Sequence, residues 1–216
     1  MNITLCKICG RETTQFKHPK FNIIFHECGH CKFLFKDQLM YLSKEEELKV
    51  YNRHENTIEN IGYVNYLNNF IDTAVLPFIN KGKVLDFGSG PNPVLSLLLK
   101  QSGFLGVDIY DYYYSPHKIY ENQTYDLITT TEVIEHLQDP VTYFKLFYDL
   151  LNHGGLLSMM TLFRPKSHLE IFNWFYIRDQ SHVSFFNEQS LQAIADLVGF
   201  KFIYHNDYRV AVFKKE

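Results

Sequence analysis

The sequence lacks any apolar run long enough to cross a bilayer, which would need roughly 20 residues. Its first residues, MNITLCKICG, also lack the basic and then apolar pattern of a signal peptide. Basic residues are not in excess, since 21 Lys and Arg face 24 Asp and Glu for a formal net charge of −3. A nucleic-acid reader usually carries a strong basic patch. We therefore expect a soluble, cytoplasmic protein, and the composition argues against a membrane or nucleic-acid partner.

Cysteine is absent after residue 31. The four cysteines form two C-x2-C pairs with eighteen residues between them, and these are Cys6, Cys9, Cys28 and Cys31. Two such knuckles suit a tetrahedral Zn²⁺ site. A pair of disulfides is the alternative, which a reducing compartment disfavours. We predict a zinc ribbon over residues 1–40, with strands at 21–25 and 33–35 and a surface that could dock a protein partner.

Hydrophobic residues make up 46% of the chain and aromatic residues 16%, enough for one sizeable domain beside the ribbon. Residues 41–80 read as a helical connector that caps the next domain. Its first helix begins at Ser43, because Glu46 completes a capping box. A second helix is predicted over 63–78 from its apolar periodicity.

Residues 81–111 carry the strongest functional signal. A short apolar run ends in Asp86, a turn with Gly88 and Gly90 follows, and a leucine-rich helix leads to a second run that ends in Asp108. This is the layout of a nucleotide-type site at the edge of a parallel sheet. Asn92 is predicted to cap the helix, with proline in its first position. That proline occupies the place of the third glycine in the dinucleotide fingerprint, so we reject an NAD-type site.

The rest of the chain, 81–216, predicts an α/β, Rossmann-like, doubly wound and mainly parallel sheet with an antiparallel C-terminal hairpin. The sixteen residues 109–124 are too few for an ordinary crossover helix. Asp139 and Pro140 open a later helix, which 153–155 should end before a strand at 156–162. Asn187 caps a last helix and Gly199 stops it.

Four blocks occur in order: VLDFGSG, GVDIYD, YDLITTTEVIEHLQDP and HGGLLSMM. In sequence and spacing they resemble the class I S-adenosylmethionine-dependent methyltransferases. The likeness covers nearly the whole chain and is greatest for a subgroup with an N-terminal four-cysteine zinc segment. The resemblance implies an enzyme that uses S-adenosyl-L-methionine to methylate an acceptor, which we expect to be a small molecule.

The resemblance also implies the residues that bind the methyl donor. The acid that ends the first strand would lie beneath the amino-acid end of the donor, the two glycines against its methionine and ribose, and the second acid on the ribose hydroxyls. The TTTE block would lie beside the sulfonium, with the connector as a cap. The predicted set is Asp86, Gly88, Gly90, Asp108, Thr130, Thr131, Glu132 and Tyr63.

A general base is needed when the acceptor atom carries a proton, and the candidates are His54, His136 and His182. Glu132, Glu135 and His136 form an E-x2-E-H set. Together with His182, this set resembles a divalent-metal site of some methyltransferases, although metal-free members carry it as a structural element. Two other functions stay open. One is a non-catalytic zinc-ribbon binding module with a vestigial cofactor pocket, and the other is an RNA methyltransferase.

Overall fold

The computed structural model describes residues 3–53 and 56–216. The ten strands are β1 Thr13–Lys17, β2 Ile24–Cys28, β3 Leu34–Lys36, β4 Lys83–Phe87, β5 Gly106–Tyr110, β6 Tyr125–Thr131, β7 Leu151–Met160, β8 Ser184–Phe185, β9 Phe200–His205 and β10 Val210–Lys215. The six α-helices are α1 Lys44–Tyr51, α2 Ile61–Phe70, α3 Val94–Gln101, α4 Pro140–Leu150, α5 His168–Asn173 and α6 Glu188–Val198. Within these residues no helix combines the length and apolar character that a membrane span requires.

The main sheet has six strands in the order β5-β4-β6-β7-β10-β9. The first four are parallel, and β10 pairs antiparallel with both β7 and β9. Apolar clusters cover both faces of this sheet, as a buried parallel sheet requires. The predicted Rossmann-like sheet with an antiparallel C-terminal hairpin is confirmed.

The passage from β5 to β6 contains no helix. Residues 111–124 form a loop closed by an isolated bridge between Asp111 and Ser115. The expected shortening of this crossover is therefore confirmed. Because no further strand is inserted here, β5 is the edge of the main sheet.

Several predicted helix ends are confirmed. Ser43 and Glu46 form the capping box of α1, and Asp139 accepts from the Thr142 N–H at the start of α4. Gly199 ends α6 with a φ of 102°. The second connector helix, α2, continues as a π-helical turn over Ile71–Val75.

Two local predictions are wrong. Helix α3 begins at Val94 with Pro93 in the cap position, so Asn92 lies in the preceding turn and does not cap the helix with its side chain. The residues 153–155 do not separate α4 from its strand. Strand β7 starts at once at Leu151 and contains Gly154 in a left-handed conformation.

The four-cysteine segment forms a second sheet in the order β1-β2-β3-β8. The predicted strand at 21–25 lies three residues too early, because β2 spans 24–28, and β1 was not predicted. Strand β8 comes from the far end of the chain and pairs Leu34 with Phe185. The buried cysteines also share one apolar cluster with residues of the main sheet such as Leu85 and Phe87. The division at residues 40 and 80 stays a prediction.

Candidate functional site

A cavity of about 800 Å³ opens where the parallel strands end. Its walls come from the turns that follow β4, β5 and β6, from α1 and α2, and from the segment around Tyr176. Ligands of doubly wound sheets bind at this edge, and pockets of this volume are typical of small-molecule sites. The cavity is the candidate active site.

The turn after β4 brings the backbone close to the cavity. Gly88 and Gly90 have φ angles of +84° and +68°, a region that favours glycine. A Cβ on Gly88 would lie 2.3 Å from Cγ2 of Val133. A Cβ on Gly90 would meet nothing within 4 Å, so only the backbone conformation favours glycine there.

Asp86 is a buried carboxylate with one free oxygen. Its side chain is only 2% exposed, and Oδ1 accepts from the Thr129 hydroxyl at 3.2 Å. Oδ2 has no hydrogen-bond partner among residues 3–53 and 56–216. Burial raises the pKa of Asp86 to about 7. Such a group fits a bound cation, which would supply the missing partner and favour the charged form.

Asp108 is not among the residues that line the cavity. Its Oδ2 lies 3.3 Å from the Lys83 ammonium and accepts from the Tyr125 hydroxyl at 2.9 Å, at the first residues of β4 and β6. The next acid, Asp111, follows the end of β5 and does line the cavity. Asp111 Oδ2 accepts from the Gly90 N–H at 2.9 Å. The structure thus brings Asp111 to the cavity wall, and the binding role of Asp108 stays a prediction.

Glu132 is held in the cavity wall by its backbone and by two tyrosines. It has a φ of 52°, which is rare for a residue with a side chain. The Tyr66 hydroxyl donates to Oε1 at 2.6 Å, and the Tyr176 hydroxyl to Oε2 at 2.9 Å. These two tyrosines hold the carboxylate in the wall of the cavity. Neither contact was predicted from the sequence.

The other predicted donor-binding residues divide in two. Thr131 and Tyr63 line the cavity, and burial raises the pKa of Tyr63 to about 12. Thr130 is fully buried beneath the wall, because neighbouring residues of a strand face opposite ways. The binding roles of all these residues stay predictions.

Two of the three predicted bases meet in the cavity. The His136 and His182 rings lie 4.8 Å apart, and His182 Nε2 is 3.7 Å from Asp179 Oδ2. Desolvation and the nearby His182 lower the pKa of His136 to about 3, so it is neutral. Burial opposes ionisation of Asp179, but His182 and Ser181 outweigh it and hold the pKa of Asp179 below its usual value. His54 lies outside the described residues.

The fold gathers three residues of the predicted metal set. Ligand atoms of Glu135, His136 and His182 lie within 4.8 Å of one another. Glu132 is not part of this group, and its two carboxylate oxygens accept from the Tyr66 and Tyr176 hydroxyls. Glu135 is fully buried, and burial raises its pKa well above the usual value. A divalent metal here stays a prediction.

The four cysteines do converge as expected. All four sulfurs lie within 4.8 Å of one another, with 3.5 Å between Cys6 and Cys31 and between Cys9 and Cys28. The thiols are free, and the spacing is that of ligands around a single ion. This donor set fits Zn²⁺.

Residues 61–205 match a family model described as a methyltransferase domain. The chain belongs to the class I S-adenosylmethionine-dependent methyltransferases. This methyltransferase is 34% identical over 84 residues to the ubiquinone biosynthesis O-methyltransferase of Ruegeria pomeroyi, a match that covers 38% of the chain and 33% of that protein. The match thus spans about a third of the relative's length.

Two solved methyltransferases show the same fold. CalO1, a methyltransferase in calicheamicin biosynthesis solved with SAH bound, has a TM-score of 0.53 at 12% identity, over 73% of this chain and 56% of that chain. The magnesium protoporphyrin IX methyltransferase of Synechocystis PCC 6803, also with bound SAH, has a TM-score of 0.51 at 14% identity, over 80% and 94%. At these identities the likeness is one of architecture.

Proposed function

We propose that this methyltransferase transfers the methyl group of S-adenosylmethionine to a small-molecule acceptor held in the same cavity. The observation that carries the proposal is the cavity at the ends of the parallel strands, with the free oxygen of Asp86 buried in it. When bound, the donor supplies a methyl group on a positively charged sulfur. Carboxylates in a partly desolvated cavity suit its ammonium and sulfonium charges.

The donor would be held along the glycine turn. Asp86 would accept a hydrogen bond from its ammonium, and Asp111 would accept from its ribose hydroxyls. Gly88 and Gly90, which have no side chain, would let the amino-acid end of the donor lie close to the backbone. Asp111 already orders the turn by accepting from the Gly90 N–H. Tyr63, from α2, would close the cavity from the connector side.

His182 is the proposed general base. Its Nδ1 lies 3.0 Å from the Tyr176 carbonyl oxygen, an arrangement in which Nδ1–H donates and Nε2 is directed toward Asp179. An acceptor O–H or N–H would lose its proton to the imidazole while the methyl group moves in line from sulfur to the acceptor atom. The nearby Asp179 carboxylate stabilises the imidazolium that forms.

Two observations support a small acceptor. The relatives named above are described by ubiquinone biosynthesis, calicheamicin biosynthesis and magnesium protoporphyrin IX, all small molecules. The net charge of −3 offers no general attraction for a polyanion such as RNA.

A matched pair of variants tests the donor site. Asp111→Asn removes a carboxylate in the cavity, whereas Asp108→Asn changes one that pairs with Lys83 outside it. We expect calorimetric titration with SAH to show roughly tenfold weaker binding for Asp111→Asn, the value of a charged hydrogen bond, and little change for Asp108→Asn. If only the Asp108 variant loses SAH binding, Asp108 and not Asp111 binds the ribose hydroxyls. Failure of the wild type to bind SAH would end the proposal.

We also propose that the cysteine cluster holds one structural Zn²⁺. Four thiolates in a buried site would release the metal only on chelation or unfolding. Metal analysis of the purified protein should give one zinc per chain, and a Cys28→Ser variant should give less with a lower melting temperature. A protein partner docked on the ribbon and a cytoplasmic location stay predictions.

A further inference from the structure

The segment that carries Asp179 and His182 is held between the ribbon and the wall of the cavity. On the ribbon side, the Lys36 N–H donates to the Val183 carbonyl at 2.9 Å, and β3 pairs with β8 directly after it. On the other side, the Val183 N–H donates to the Glu135 carbonyl at 2.8 Å. This stretch, which we call the base segment (residues 179–185), is therefore hydrogen-bonded to the ribbon on one side and to the cavity wall on the other.

The side chain of Lys36 reinforces this attachment. It is 3% exposed, and its ammonium donates to the Asp179 carbonyl at 2.6 Å. Burial lowers the pKa of Lys36 to about 8, with the Asp179 carboxylate acting in the opposite sense. A buried ammonium is costly unless it is hydrogen-bonded, so a structural lysine in this place needs a partner such as this carbonyl.

Two further contacts tie the base segment and the ribbon to the same wall. The Ser184 hydroxyl donates to the Leu137 carbonyl at 2.7 Å, and the Lys7 ammonium donates to the Gln138 carbonyl at 2.8 Å. Leu137 and Gln138 line the cavity beside His136. Ribbon residues thus hold both strips of chain that present the histidines.

We propose that Lys36 is a positioning residue, through which the four-cysteine ribbon fixes Asp179 and His182 against the methyl-transfer cavity. The ribbon then supports the active site from outside the cavity, because it holds the segment that carries the base. This inference rests on the proposed function only in naming His182 as the base. The order of the segment itself can be measured without any acceptor.

The chain offers a built-in reporter, since Trp174 is its single tryptophan. Trp174 is half-buried, and its ring packs 5.0 Å from Tyr176 and 5.7 Å from Phe185, the last residue of 179–185. Acrylamide quenching of its fluorescence therefore reports on the packing between this segment and its surroundings. Hydrogen exchange of the amides in 179–185 gives a second, independent reading.

The test compares Lys36→Met with Lys17→Met in the full-length, zinc-loaded protein. Lys17 lies exposed on β1 of the same ribbon, so it controls for the loss of a lysine there. We expect Lys36→Met to keep its zinc and its SAH affinity. The amide hydrogens of 179–185 should exchange roughly tenfold faster, and acrylamide should quench the Trp174 fluorescence more readily. Lys36→Arg, which keeps a cation, should restore part of the protection, whereas Lys17→Met should match the wild type.

Wild-type exchange and quenching in a zinc-loaded Lys36→Met protein would overturn the proposal. If that variant does not fold, wild-type protein stripped of zinc by a chelator carries the test. Exchange must then rise in 179–185 and recover when Zn²⁺ is added back, and an unchanged rate in the stripped protein would equally overturn the proposal. Loss of SAH binding by the wild type would instead refute the proposed function, which separates the two failures.

Discussion

Replacing Gly88 by alanine should destabilise the protein far more than the same change at Gly90. Both residues have left-handed φ angles, so each alanine carries a backbone strain of about 1–2 kcal/mol. Only the Cβ at Gly88 meets a neighbour, Val133 Cγ2 at 2.3 Å, and overpacking of this kind adds about 1–3 kcal/mol. We therefore expect a loss of unfolding free energy of about 2–5 kcal/mol for Gly88→Ala.

Urea unfolding of four proteins measures this difference: Gly88→Ala, Gly90→Ala, Val133→Ala and the double variant of Gly88 and Val133. The double-mutant cycle should return about 1–3 kcal/mol, because truncating Val133 makes room for the new methyl group. Gly90→Ala should instead weaken SAH binding, since its methyl group projects into open space along the turn. Equal losses at the two glycines, or no rescue in the double variant, would refute the close approach of this turn to Val133.

Three further predictions concern charge. Burial raises the pKa of Asp86 to about 7 from its usual 3.8, so the stability that its neutral form contributes is present below about pH 4 and is lost as the pH rises to about 7. SAH affinity should rise about tenfold from pH 6 to 8, as the carboxylate becomes charged. Calorimetry of the wild type and of Asp86→Asn tests both pH dependences, and a wild-type affinity that does not change with pH would contradict them. Glu27→Gln should lower the free energy of unfolding by about 3 kcal/mol, because it removes the carboxylate that lies 2.6 Å from the buried Arg164 guanidinium. Lys201→Gln, which removes an exposed ion pair with Glu216, is the control and should change the urea midpoint little. Burial of Glu135 favours its neutral form, so Glu135→Gln should change the free energy of unfolding by no more than about 1 kcal/mol, and a larger loss in urea unfolding would contradict this effect of burial.

Local signals in the sequence predicted much of this fold. The capping box at Ser43, the Asp139-Pro140 helix start and the Gly199 stop each depend on backbone groups within a few residues of the signal. The same is true of the two cysteine knuckles, whose geometry follows from C-x2-C spacing alone. Such features need no knowledge of distant partners, and the structure confirms their positions.

Other features of the site and of the ribbon depend on distant partners, and local signals did not predict them. Asp108 and Asp111 are equally good acids in the sequence, and only the register of β5 on β4 decides which one reaches the cavity. The pair of acids three residues apart was the available signal. Tyr66 and Tyr176 meet at Glu132 from positions 110 residues apart, which no local pattern encodes. Strand β8 is two residues long, too short for any alternation to appear.

The pairing of β3 with β8 has a consequence for the order in which the chain folds. Phe35 and Ser184 are partners although roughly 150 residues separate them. During synthesis β1, β2 and β3 leave the ribosome before β8, so the fourth strand of their sheet is still missing when the first three can pair. We therefore expect the β3 edge of this sheet to stay unpaired until β8 is made, and the pairing of β8 with β3 to be a late step of folding.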